Sequence, residues 1–169
     1  MPRVVALLRG VNVGGNRKLS MAELRATLAS AGYGDVRTHL QSGNVILDSA
    51  KRPATLECEL GKLLGVQVVV RTHDELADVV ARDPFGDVAT NGSRYFVTFL
   101  SGPVDEVPGL ESGDGELFVV SGREIYAWLP DGVHNSKRAQ LLTERRLGVV
   151  PTTRNWNTVA KLLELTAPG

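Results

Sequence analysis

Five consecutive apolar residues, Val4-Val5-Ala6-Leu7-Leu8, stand directly before a glycine-rich loop and a helix start. A short, continuous apolar run of this kind reads as a buried strand. The loop, Arg9-Gly10-Val11-Asn12-Val13-Gly14-Gly15-Asn16-Arg17-Lys18, holds three cations and no acid. Ser20, with Glu23 three residues later, has the form of a capping box that opens a helix. Glycines let backbone N–H groups turn toward a ligand, and a helix N-terminus adds partial positive charge, so the order strand, loop, helix suggests an anion site. The competing reading is a wide turn whose glycines supply positive φ and whose charges are solvated.

Two familiar nucleotide motifs are excluded. Gly10 and Gly15 have the spacing of a phosphate-binding P-loop, but Asn16 and Arg17 stand where Lys and Ser or Thr are needed. The helix also starts too late to present its first N–H groups within the loop. Gly10-Val11-Asn12-Val13-Gly14-Gly15 lacks the first short glycine spacing of the dinucleotide fingerprint.

The rest of the chain extends the pattern. Residues 21–31 form a helix with Met21, Leu24, Leu28 and Ala31 on one face. Residues 36–40 and 45–47 read as strands around the turn Gln41-Ser42-Gly43-Asn44. Pro53 opens a second helix, Leu56, Leu60, Leu63 and Leu64 line it, and Gly65 stops it. Residues 66–70 are a β-branched strand, which completes βαββαβ, one ferredoxin-like unit. Thr72 and Glu75 form another capping box, and Asp83-Pro84-Phe85-Gly86 ends the helix that follows. Residues 95–100 are a strand, 101–115 are irregular, and 117–120 and 124–129 flank the turn Ser121-Gly122-Arg123. Asn135 or Ser136 caps a helix bearing Ala139, Leu141, Leu142 and Leu147; Val149-Val150 is a short strand; Asn155 caps the last helix. The expected fold is α+β, a tandem duplication of two ferredoxin-like βαββαβ units with antiparallel sheets covered by helices. Residues 1–72 make the first unit and 73–169 the second with its C-terminal helix, either as two domains or as one compact domain.

Charge is balanced, with 19 basic and 19 acidic residues among 169, so global charge steers nothing. Its distribution is uneven. Residues 1–18 hold four cations and no acid, residues 133–161 six cations and one acid, and residues 83–131 nine acids and two cations. Basic ends that meet in the fold would make one positive face. The single cysteine, Cys58, allows no disulfide within the chain and is expected to pack. His39, His73 and His134 are scattered without metal-ligand spacing, and no cofactor is expected. The first residues lack a signal-peptide core and no run approaches a membrane span, so a cytoplasmic location is expected, with no membrane partner.

A second polar constellation lies near the C-terminus, at Thr152-Thr153-Arg154-Asn155-Trp156-Asn157-Thr158. A helix start attracts anions, and arginine forks onto phosphate or carboxylate. Trp156 can stack on a base, but a helical apolar stripe continues from it, which favours a core anchor. Together with Arg9 to Gly15, Met21, Leu24, Gln41-Ser42-Gly43-Asn44-Val45 and the pair Asn135 and Lys137, this segment resembles the signatures of the DUF1697 family, a bacterial family of unknown function. The resemblance spans nearly the whole chain, with Val11 where isoleucine is common in the family. It implies two ferredoxin-like units, in agreement with the element order, and it implies no catalytic residue.

The candidate ligand-binding residues are Arg9, Asn12, Gly14, Gly15 and Lys18 in the first loop, and Ser42 and Asn44 in the hairpin turn. Asn135 and Lys137 precede the penultimate helix, and Arg154, Asn155 and Asn157 surround the last helix start. Arg9 and Arg154 are expected to face one shared anion, since no acid lies within residues 1–18 or between Gly148 and Leu163. The expected partner is a phosphate-bearing small molecule or an RNA, bound by a non-catalytic module. An enzyme acting on a small anionic substrate is the second reading, with Ser42, His39 and His134 as its nearest reactive groups. A structural or oligomerising protein is the third. Against RNA, aromatic residues make up only 5% of the chain and no strand carries the aromatic signature of an RNA-recognition motif.

Overall fold

The structure, a computed structural model, describes residues 2–9, 20–39 and 43–168. The chain divides into two compact units, one of Met1–Ala77 with Leu162–Gly169 and one of Asp78–Lys161. The first unit runs β1 (Arg3–Leu8), α1 (Met21–Ser30), β2 (Gly34–His39), β3 (Asn44–Asp48), α2 (Pro53–Leu64) and β4 (Val68–Thr72). Its strands pair antiparallel in the order β2-β3-β1-β4.

From Val4 to Leu8, β1 is apolar because both of its faces are buried. Val4, Ala6 and Leu8 enter a core with Met21, Leu24 and Leu28 of α1 and Leu56 and Leu60 of α2. Val5 and Leu7 alternate onto the opposite face and are also 0% exposed. Truncating a fully buried leucine such as Leu56 or Leu60 costs roughly 2–5 kcal/mol in cores of this kind. The helix boundaries follow local chemistry. Glu23 N donates to Ser20 Oγ at 3.3 Å. Pro53 opens α2, and Gly65 ends it at φ 67° with its N–H on Gly61 O. Cys58 is exposed, so the expected packing role is not the one it has. Its place in α2 lies off the stripe of Leu56 and Leu60, which are the buried residues of that helix.

At the β4–α3 junction, Glu75 N donates to Thr72 Oγ1 at 3.1 Å and Thr72 N donates to Glu75 Oε1 at 2.9 Å. This reciprocal capping box lets α3 (His73–Arg82) begin directly where the strand ends.

The second unit holds β5 (Tyr95–Leu100), β6 (Leu117–Ser121), β7 (Glu124–Trp128) and β8 (Pro151–Asn155). They pair antiparallel in the order β6-β7-β5-β8, so in both sheets the first strand lies between the third and the fourth. Leu100, Ile125, Ala127 and Leu129 form its core with Val107, Leu110 and Phe118.

Three expectations for this unit change. The single helix expected from a cap at Asn135 or Ser136 does not form: a 3-10 turn, Val133–Asn135, ends at that point, and a second, Ala139–Leu141, is followed by α4 (Glu144–Leu147). Two internal caps divide the segment. Ala139 N donates to Ser136 Oγ at 3.0 Å, Arg146 N donates to Thr143 Oγ1 at 3.3 Å, and Gly148 ends α4 at φ 75°. The short strand expected at Val149-Val150 begins at Pro151. Thr152, Thr153 and Arg154, read as part of a helix start, are strand residues, with Thr153 opposite Thr98 and their hydroxyls 2.7 Å apart. β-branched threonines suit that position. α5 (Trp156–Thr166) follows at once, with Thr158 N donating to Asn155 Oδ1 at 2.9 Å, so Asn155 caps it as expected.

Gly43 precedes β3 with φ 89°, and a Cβ there would lie 2.9 Å from Leu8 Cβ. Gly122 has φ 62°, and a Cβ there would meet nothing within 4 Å. Gly43→Ala therefore incurs both backbone strain and a clash, and should lower unfolding free energy by about 1–3 kcal/mol. Gly122→Ala should cost less, about 1–2 kcal/mol, from strain alone. Urea unfolding of both variants checks the order; equal losses would remove the role given to the Leu8 contact.

Candidate functional site

In the first unit, the end of β1 gathers part of the expected site. Leu8 N donates to Gly43 O at 2.9 Å and Arg9 N donates to Gln67 O at 3.0 Å. The Arg9 guanidinium, half-buried, also donates to Gln67 Oε1. Asn44 stands opposite Leu7 and is fully buried, its amide donating to His39 O at 2.8 Å across the hairpin. Arg9 and Asn44 are thus brought to one end of one sheet. Asn12, Gly14, Gly15, Lys18 and Ser42 lie outside the described residues.

In the second unit, the start of β5 and the ends of β7 and β8 gather another group. Asn157 is exposed, its backbone N–H reaching Gly92 O and its side-chain amide so close over Gly92 that a Cβ there would collide with it. Arg94 is exposed and its guanidinium crosses Gly132 in the same manner. Gly132 O accepts from Asn135 N, and Asn135, also exposed, donates its amide to Asp131 O at 2.9 Å. Asn135, Asn155 and Asn157 therefore share this end with Arg94, which the sequence reading missed. No local motif marks Arg94; only the strand pairing places it there. Lys137 is exposed two residues beyond Asn135.

Arg154 lies one residue inside this end. It stands opposite Val97 on β5, as does Tyr126 from β7, so Arg154 and Tyr126 share one face of the sheet. Its guanidinium donates to Thr152 Oγ1 and Thr153 O, both at 3.0 Å. Burial lowers its pKa to about 10, which leaves it charged at neutral pH. Arg9 belongs to the first unit and Arg154 to the second. Trp156 stacks on Tyr95 with ring centroids 4.3 Å apart and planes 2° from parallel, in keeping with the anchor role favoured by its apolar stripe.

The first unit also holds a cavity of about 390 Å³ whose lining includes Arg3, Asp48, His73, Asp74 and Thr166. The Thr166 hydroxyl donates to Leu162 O at 2.9 Å, so at His73, 2.9 Å away, its oxygen accepts the Nδ1 proton. Neutral His73 then carries its lone pair on Nε2. Arg3 was grouped by sequence with cations lacking acids, yet Asp35 and Asp48 each lie 3.6 Å from it. Arg138 from the basic C-terminal stretch meets Asp114 at 3.2 Å and Glu116 at 3.3 Å, both from the acidic middle. The segregation of charge along the chain is cancelled at these two places. Among the described residues, no group of His, Cys, Asp and Glu has the arrangement of a metal site, and no helix is long and apolar enough to cross a membrane.

The fold is mixed α+β, with two four-stranded antiparallel sheets, helices, and polar clusters at strand ends. The chain belongs to the DUF1697 family of proteins of unknown function, whose family model matches residues 1–126. It is similar in fold to a solved structure of a conserved bacterial protein from Streptococcus pneumoniae. The TM-score is 0.76 at 22% identity, over 98% of each chain. No curated protein matches the chain.

All three tyrosines are held protonated. Burial, then a hydrogen bond to Asp83 at 2.7 Å, pushes Tyr95 far above its ordinary value of 10.0. Burial raises Tyr126 to about 12, opposed by Arg82, while its hydroxyl donates to Val79 O. Burial and a hydrogen bond to Glu59 raise Tyr33. A group whose folded pKa exceeds its unfolded one contributes stability that is present below the unfolded value, near pH 10, and lost as pH rises toward the folded values. Absorbance at 295 nm should therefore show Tyr95 and Tyr126 ionising well above their ordinary value in the native protein, and stability should fall as pH rises above about 10. A native titration in which all three tyrosines ionise near 10 would contradict the burial of Tyr95 and Tyr126.

Proposed function

We propose that this protein is a binding module for a phosphorylated or nucleic-acid ligand, using arginine and amide side chains at the strand ends. The observation that carries the reading is the meeting of Arg94, Asn135, Asn155 and Asn157 at one end of the second sheet. Arg9 at the exit of β1 supports a similar role for the first unit, in which Asn12, Gly14, Gly15, Lys18, Ser42 and Asn44 would join it. Lys137 and Arg154 complete the proposed contacts in the second unit. Arginine forks match phosphate oxygens, and amides fix orientation because they both donate and accept. The common strand order supports reading the two sheets as a duplicated ferredoxin-like unit. The proposed location is the cytoplasm.

A second reading, an enzyme on a small anionic substrate, draws on His73, whose Nδ1 is anchored beside a cavity. A positioned imidazole is the commonest general base.

Calorimetric titration with AMP and with a ten-nucleotide single-stranded RNA tests the binding module. At least one probe should bind, more weakly as salt rises. Arg9→Ala and Arg154→Ala should each weaken it about tenfold or more, the worth of a charged hydrogen bond, with unchanged circular dichroism. Binding of neither probe at millimolar concentration, or full affinity in both variants, would overturn the proposal.

A further inference from the structure

Asn91 is exposed in the turn that leads into β5, and of the chain's asparagines it alone is followed by glycine. Asn91 O accepts from Arg94 N at 3.0 Å, which closes the turn. The side-chain oxygen of Asn91 accepts twice from Ser93, from its backbone N–H at 3.0 Å and from its hydroxyl at 2.6 Å. Among the described residues Gly92 N has no hydrogen-bond acceptor, and Gly92 carries no side chain to shield it. A free backbone nitrogen thus follows an amide carbon whose oxygen is held by two donors.

The other exposed asparagines among the described residues differ at the nitrogen that follows them. Ser136 N, after Asn135, donates to Val133 O at 3.3 Å. Thr158 N, after Asn157, donates to Asn155 Oδ1 at 2.9 Å. Both nitrogens are engaged, and both belong to residues with a side chain.

We propose that Asn91 is a self-modifying site, converted through a succinimide to aspartate and isoaspartate, with Ser93 promoting the step. Gly92 N attacks Asn91 Cγ and loses its proton to water. The bond from Cγ to the amide nitrogen breaks, ammonia leaves and a five-membered ring closes. Attack within one residue needs no encounter between separate reactants. As the tetrahedral centre forms, charge develops on Oδ1, where the two Ser93 donors already point. Water then opens the ring. Cleavage between Cγ and Gly92 N gives aspartate, and cleavage between the main-chain carbonyl carbon of residue 91 and Gly92 N gives isoaspartate. Water is the only co-reactant, and nothing is oxidised or reduced. Both products carry a new negative charge. Isoaspartate also takes the carbonyl that receives Arg94 N out of the main chain, so the turn ahead of β5 must rearrange. The proposal stands apart from the binding-module reading.

Peptide mapping that separates asparagine, aspartate and isoaspartate at residue 91 reads the reaction in the full chain, folded and in urea. The folded chain should convert Asn91 while Asn135 and Asn157 stay intact, and faster as pH rises, because Gly92 N must lose its proton. Ser93→Ala should slow the folded rate about tenfold, short of the hundredfold or more lost with an enzyme's oxyanion donor, since the backbone donor remains. Ser93→Thr keeps a hydroxyl and should restore the rate, which excludes misfolding as the cause. In urea the three chains should react alike. An intact Asn91 in the folded protein, a folded Ser93→Ala chain that reacts as fast as the original, or the same slowing in urea would overturn the proposal.

Discussion

A strand buried on both faces is the constraint on which each sheet depends. Val4 through Leu8 are at most 1% exposed, and Val97, Phe99 and Leu100 of β5 are 0% exposed. Such a strand has no water to satisfy its backbone, so it needs a paired neighbour on each side. β1 has β3 and β4; β5 has β7 and β8. This lateral pairing also determines where polar residues collect. Because the neighbours run antiparallel, the end of β1 meets the start of β3 and the segment just before β4. That is why Arg9 finds Gln67 and Leu8 finds Gly43. The start of β5 likewise meets the ends of β7 and β8, which brings Arg94 near Asn155 and Asn157.

Charge has a different part in the two units. Arg3 is a quarter exposed and its carboxylate contacts are long, 3.6 Å, while it also donates to Ala167 O at 3.2 Å. Pairs of this exposure contribute at most about 1 kcal/mol. Arg3 therefore matters more as a clasp on the end of α5, whose final carbonyls lack helical partners. Arg138 makes three contacts to residues 113–116, through Gly113 O, Asp114 and Glu116, and so orders a segment with no helix of its own. Arg82 donates to Glu124 at 2.7 Å where the carboxylate side chain is 7% exposed. Losing that partner would leave a nearly buried charge, the costly case for an ion pair.

Much of the fold is legible in the sequence because its signals are local. The apolar run of β1, the capping boxes at Ser20 and Thr72, the Pro53 and Gly65 limits of α2, and the Asn155 cap all act within a few residues. The penultimate helix misleads because Ala139, Leu141, Leu142 and Leu147 suggest a helical face, while the hydroxyls of Ser136 and Thr143 compete for its backbone N–H groups. β8 is hidden for another reason. Thr152, Thr153 and Arg154 are polar, and only pairing with β5 makes them a strand. The candidate site is legible in part. Its asparagines stand in recognisable motifs, but Arg94 and the alignment of Trp128 with Tyr95 depend on register, which one strand's sequence does not contain.

Two glycines give the second sheet's end its character. At Gly92 and Gly132 any side chain would collide, with the Asn157 amide in one case and the Arg94 guanidinium in the other. Each glycine thus lets a polar side chain lie directly on backbone. A free arginine carries about 2 kcal/mol of rotamer entropy, which a ligand must overcome to use it. Arg94 lies over Gly132 but is exposed, so this freedom is retained. Trp156, by contrast, has its ring orientation set by Tyr95. Affinity at a small polar surface depends strongly on such prior ordering, because the gross contact energy is modest. Asn44, fully buried and bonded to His39 O, has its orientation fixed by the hairpin it closes.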